Sequence, residues 1–183
     1  MSKMTKVIAA LGVVAGLGAA ALPLGTYAKD ATATVDIYAT VDESLSIEAS
    51  NKSVNIGPLF AGGGIATGST TVTVSTTADE GYTLYIKDSD STEALVKMSA
   101  DGLTIDGSAQ IAASDLKGTA SGWGYKGGNK TEYTAITTSN VEIDSTDSEG
   151  TGTTEVTFGV RVADGQAEGT YKGGVIFTAT IDL

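Results

Sequence analysis

Apolar and polar residues alternate along most of this chain with a period of two. From Thr32 to Val41, Ala33, Val35, Ile37, Ala39 and Val41 fall on one face, and Thr34, Asp36, Tyr38 and Thr40 on the other. That is the period of a half-buried strand. Leu45, Ile47 and Ala49 repeat it after Asp42-Glu43, and Val54 and Ile56 form a short piece closed by Gly57-Pro58. Strands are further predicted over 70–76 (TTVTVST), 82–87 (YTLYIK), 95–98, 103–105, 123–125, 132–136, 141–143, 155–162 and 170–181. Asp101-Gly102 reads as a hairpin turn between two of them. The Gly/Ser/Thr/Asp-rich stretches 57–69 and 144–153 read as loops without regular structure. No helical period holds for three turns; 93–98 and 109–116 leave room for a turn or two at most.

Many short strands separated by Gly, Asp and Ser turns predict an all-β fold. The arrangement expected is one Ig-like, Greek-key β-sandwich of about seven to ten strands. The chain has 183 residues, no Cys and no His. It therefore has no disulfide framework, no thiolate or imidazole metal site and no His-dependent triad. It carries 22 acidic against 11 basic residues, a net charge of −11. A phosphate backbone would be repelled, so nucleic acid is not an expected partner.

The first residues read as an export signal. Lys3 and Lys6 precede an apolar run from Val7 to Leu24, and Thr26-Tyr27-Ala28 offers a small residue for cleavage. The expected organisation is a secretory signal peptide over 1–28 and a β-sandwich domain over 29–183, whose first segment, 29–41, is an N-terminal strand or arm. Losing Lys3 and Lys6 takes the net charge from −11 to −13. The expected location is extracellular, at the cell surface, with no stable membrane span after cleavage.

Near the end of the chain stands Gln166-Ala167-Glu168-Gly169-Thr170-Tyr171-Lys172-Gly173-Gly174-Val175-Ile176-Phe177-Thr178-Ala179-Thr180, and earlier Gly81-Tyr82-Thr83-Leu84. These segments resemble the closing hairpin and central strand of secreted bacterial surface β-sandwiches, among them WxL-type cell-surface proteins and fimbrial subunits. The resemblance implies architecture and surface location. The WxL signature itself is a Trp-x-Leu pair, whereas this chain has Trp123-Gly124-Tyr125. Independently of the resemblance, Gly169 is placed to turn the chain. Tyr171 is placed to cap the sandwich edge, with Val175, Phe177, Ala179 and Ile181 facing the core.

Candidate chemistry is sparse. Asp88, Asp90 and Glu93 form one acidic loop, and Asp144, Asp147 and Glu149 another. Spaced carboxylates with Ser hydroxyls suit Ca²⁺, which takes six to eight oxygens, although neither loop follows the EF-hand pattern. No other cofactor is implied. Trp123, Tyr125 and Tyr133 are a candidate platform for stacking a sugar, with Gly122 and Gly124 giving access. Lys87–Ser89 and Lys97–Ser99 share strand faces, but nothing marks either as a buried dyad. An enzyme is not expected. The function expected is an extracellular structural protein, a filament, pilus-like or cell-envelope subunit. It would assemble by β-strand contacts through Val35, Ile37, Ala39 and Val41 with other copies of itself or other surface proteins. The alternative is an adhesin or a carbohydrate- or cell-wall-binding module that meets cell-wall or host glycans near Trp123.

Overall fold

The computed structural model describes residues 36–40 and 42–181. The signal segment and two of the four arm residues, Val35 and Val41, lie outside these. The chain divides into two units, Met1–Ala39 and Thr40–Leu183. In the first, residues 36–39 are described. They form no strand, and Ile37 and Tyr38 are 88% and 91% exposed. The strand expected over 32–41 is therefore absent over 36–40.

The second unit is all-β. Its strands are β1 (Leu45–Ala49), β2 (Ala66–Thr76), β3 (Tyr82–Asp88), β4 (Ala94–Met98), β5 (Ile105–Ala112), β6 (Gly122–Gly127), β7 (Lys130–Ala135), β8 (Val141–Thr146), β9 (Gly150–Arg161), β10 (Tyr171–Lys172) and β11 (Val175–Ile181). They form three antiparallel sheets, in the orders β1-β2-β9-β6-β7, β11-β3-β8 and β10-β4-β5. Among the described residues no helix is long and apolar enough to cross a membrane.

One core joins the sheets. The large sheet contributes Val72 and Val74 from β2, Trp123 and Tyr125 from β6, and Val156, Phe158 and Val160 from β9. The β11-β3-β8 sheet contributes Tyr82, Leu84, Ile86 and Ile143, and β5 adds Ile111. Strand periodicity sets these rows, because residues two apart share a face. Each fully buried aliphatic side chain stabilises the fold by roughly 1.5–3 kcal/mol. The two sheets come close at Gly152, where a Cβ would collide with the Tyr82 hydroxyl. In immunoglobulin terms β1, β2, β9 and β6 take the A, B, E and D positions, and β3 and β11 take C and F. Tyr171 marks the corner before β11: its hydroxyl donates to the Ala167 carbonyl at 2.6 Å and accepts from Gln166 Nε2 at 2.8 Å. A tyrosine so bonded ahead of strand F is a recurrent feature of such sandwiches.

Several local expectations are corrected. Among the described residues the strands number eleven, in three sheets, and the terminal run 170–181 breaks in two. β10 pairs with β4 and β11 with β3, so the glycines at 173 and 174 carry the chain from one sheet to another instead of closing a hairpin. The stretch 57–69 already contains the start of β2, and 144–153 is the β8–β9 hairpin. Thr-rich segments bond well in a ladder despite their polarity. Residues 105–112 form a strand, and Leu103 stands in the turn, 81% exposed. The turn at Asp101-Gly102 is closed by Ser99, whose N–H donates to the Thr104 carbonyl at 2.8 Å.

Candidate functional site: an open sandwich edge

The site is built by two edge strands. Val175, Phe177, Ala179 and Ile181 of β11 stand opposite Asp88, Ile86, Leu84 and Tyr82 of β3. Residues directly opposite in a ladder share a face, so the β11 row points inward with the β3 row. The β3 residues are buried, but all four of their β11 partners remain half-exposed. β1 shows the same thing from the other sheet. Leu45, Ile47 and Ala49 stand opposite Thr76, Val74 and Val72, all buried. Yet Leu45 and Ala49 are only half-buried, and Ile47 is 42% exposed.

Two inward rows are thus left partly open because each strand ends its sheet. β1 is bonded only to β2, and β11 only to β3, among the described residues. The two run close enough to bring Cα atoms within 8 Å, but they share no ladder. The position beside F, which strand G fills in an immunoglobulin sandwich, holds no described strand. Among the described residues no strand bonds the outer N–H and C=O groups of β11, over seven residues, roughly 20 Å. Such an edge is a template for another strand. The chemistry of this site is backbone hydrogen bonding backed by apolar contact.

At one end of the seam lies Asp88, opposite Val175. It is 4% exposed. Its Oδ1 accepts from the Asp90 N–H at 3.2 Å, while Oδ2 has no partner. The hydroxyls of Tyr82 and Tyr125 are likewise buried without a partner. Burial raises the pKa of both phenols above the ordinary tyrosine value, and the Asp144 carboxylate adds to the rise at Tyr82.

The residues singled out in the sequence scatter. Trp123 and Tyr125 are core residues, 4% and 0% exposed. The indole N–H donates to the Glu93 carbonyl at 3.2 Å. Tyr133 is half-buried beneath Lys126, whose ammonium lies 5.1 Å from the ring centroid. The three rings therefore offer no open platform: β6 turns its aromatic row inward, where large rings bury most surface. The acidic loops do not converge either. No group of three carboxylates able to hold a metal exists among the described residues. Asp90 accepts from the Thr92 N–H and hydroxyl at 2.7 and 2.6 Å, which lowers its pKa. Glu93 accepts from the Thr138 N–H at 2.7 Å. Asp144 accepts from the Thr154 hydroxyl and the Ser145 N–H, and Asp147 and Glu149 are exposed in the β8–β9 hairpin. Asp90, Glu93 and Asp144 are thus each bonded to a different part of the fold and share no common centre.

A shallow depression lined by Gly62, Thr119, Ser121, Arg161 and Asp164 had no sequence signal. Arg161 donates to the carbonyls of Gly118 and Ala120, which occupies its guanidinium with the chain's own loop.

No family model matches the chain, and no curated protein is similar to it. Among solved structures, it is similar to a chain described as "Chaperone-tip adhesin complex is vital for synergistic activation of CFA/I fimbriae biogenesis". The identity is 16% and the TM-score 0.45, over 74% of this chain and 42% of that one. Likeness of this degree says nothing of what either protein binds.

Proposed function

We propose that this protein is an extracellular structural subunit of a filament or cell envelope, assembling by β-strand contacts. The arm over 29–41 of one copy adds beside β11 of the next, with Val35 and the apolar row leading up to it covering the half-exposed inward row. The observation that carries this reading is the open seam between β1 and β11. Backbone pairing supplies the affinity of such an addition, and alternate side chains supply its selectivity. Head-to-tail addition propagates a fibre wherever the rotation between copies does not close a ring. The binding-module reading loses its motivation with Trp123 and Tyr125 in the core.

The test compares the exported wild-type chain with a Val35→Asp, Ile37→Asp variant by light scattering and negative-stain microscopy. Filaments from the wild type and none from the variant, with equal melting temperatures for the unassembled chains, are the expected result. Monomers from both under every assembly condition would refute the reading.

A further inference from the structure

Asp88 is the feature of the seam that apolar packing leaves unexplained. A carboxylate nine-tenths buried with a free oxygen costs several kcal/mol unless a cation reaches it. Among the described residues the ion pairs are Lys97–Asp106 and Lys117–Asp115, so no described cation serves Asp88. Lys87, its neighbour, points to the opposite face of β3. Asp88 lies on the inward face, separated from the open position beside β11 only by Val175.

The arm carries a matching group. Its apolar row, stepped back by two from Ala33, passes Ala31 and reaches Lys29 on the same face. Lys29 to Val35 spans as many residues as Val175 to Ile181, so one registration lays the first against the second. Ala31 then meets Phe177, Ala33 meets Ala179 and Val35 meets Ile181. The stem of Lys29 is long and apolar and can lie over Val175 with its ammonium at Asp88. Charge also decides direction. Run the other way over the same seven residues, the arm would carry Lys29 to the far end and bring Asp36 to the Asp88 end, where like charges repel.

We propose that Asp88 is the residue that fixes register and direction at the seam, by taking the Lys29 ammonium of a second copy as the arm adds parallel to β11. This rests on the subunit reading above and specifies its contact. Hydrophobic rows alone tolerate a slip of two residues, whereas a buried ion pair accepts one register.

The experiment uses the full exported chain as wild type, Asp88→Asn, Lys29→Gln and the double variant. Two quantities are read: the concentration at which sedimentable assemblies form, and the melting temperature of the unassembled chain. Asp88→Asn keeps the Oδ1 acceptor for Asp90 but removes the buried charge. It is expected to raise the assembly concentration at least about tenfold while leaving the melting temperature unchanged or higher. Lys29→Gln is expected to weaken assembly similarly, and the double variant no more than either single change. Wild-type assembly with additive losses, with no loss in Asp88→Asn, or with a lower melting temperature in Asp88→Asn overturns the inference alone. No assembly by the wild type overturns the subunit reading and this inference with it.

Discussion

β2 and β1 carry the same kind of row and meet different fates. Val72 and Val74 of β2 are 0% exposed, while Ile47, directly opposite Val74 on β1, keeps 42% of its surface in water. Both rows point at the opposing sheet. The β2 row is flanked on both sides, by β1 and β9, and faced by Tyr82, Leu84 and Ile86. The β1 row has a neighbour on one side only. Alternation therefore fixes which face a residue takes, but the number of strands around it fixes how much water it sheds. The same contrast separates β3 from β11 in the second sheet. A fold that is closed along its centre and open along one edge has its stability in one place and its capacity for contact in another.

Substitutions can break that contrast. The largest effect is expected from Leu84→Ala at the centre of β3. A fully buried leucine cut to alanine loses about 3 kcal/mol, transfer and cavity together, measurable as a lower denaturation midpoint at unchanged slope. Next is Gly128→Ala. Gly128 has φ +53°, and a Cβ there would collide with the Ile143 carbonyl. Strain and clash together are expected to remove roughly 2 kcal/mol by the same measurement. Trp123→Phe tests whether the indole is core or platform. It keeps the ring packing but loses the bond to Glu93, so stability should fall by about 1 kcal/mol.

The seam should behave differently. Ile47→Thr is expected to change the stability of the unassembled chain by no more than about 0.5 kcal/mol, yet to raise the concentration needed for assembly. A stability loss as large as that of Leu84→Ala would place Ile47 in the closed core and end the contrast. The smallest effect is a pH dependence at the surface. Asp115 accepts from the Ala135 N–H at 3.0 Å and bonds Lys117, which holds its pKa below the ordinary aspartate value. Its folded pKa is thus depressed relative to the unfolded chain. The contribution is present above the ordinary value and is lost as pH falls through the lowered one. Asp115→Asn should flatten the acid side of the stability curve slightly, because solvent screens so exposed a group.

Much of the fold could be read along the chain. TTVTVST and YTLYIK lie in β2 and β3, and most of EVTFGVRV in β9, since apolar and polar residues alternate along each of them. Val175, Phe177, Ala179 and Ile181 do face inward. Other segments misled for definite reasons. Thr-rich 150–153 reads as a loop from its polarity, while its hydrogen bonds to β2 hold it in the ladder. Trp123 between two glycines looked accessible. Gly124 is instead pressed against the carbonyls of Ser114 and Thr134, so the glycines admit backbone and not ligand.

The sequence by itself determined the class of fold, the inward face of each long strand, the acidic surface and the absence of thiol and imidazole chemistry. These follow from local period and residue type. The tertiary structure alone decided which inward rows are covered, that β11 ends its sheet, and that Asp88 is buried with a free oxygen while Asp90 is satisfied by its own turn. Those facts depend on which strands come together from distant parts of the chain. A two-residue period records the side on which a residue lies and carries no count of its neighbours.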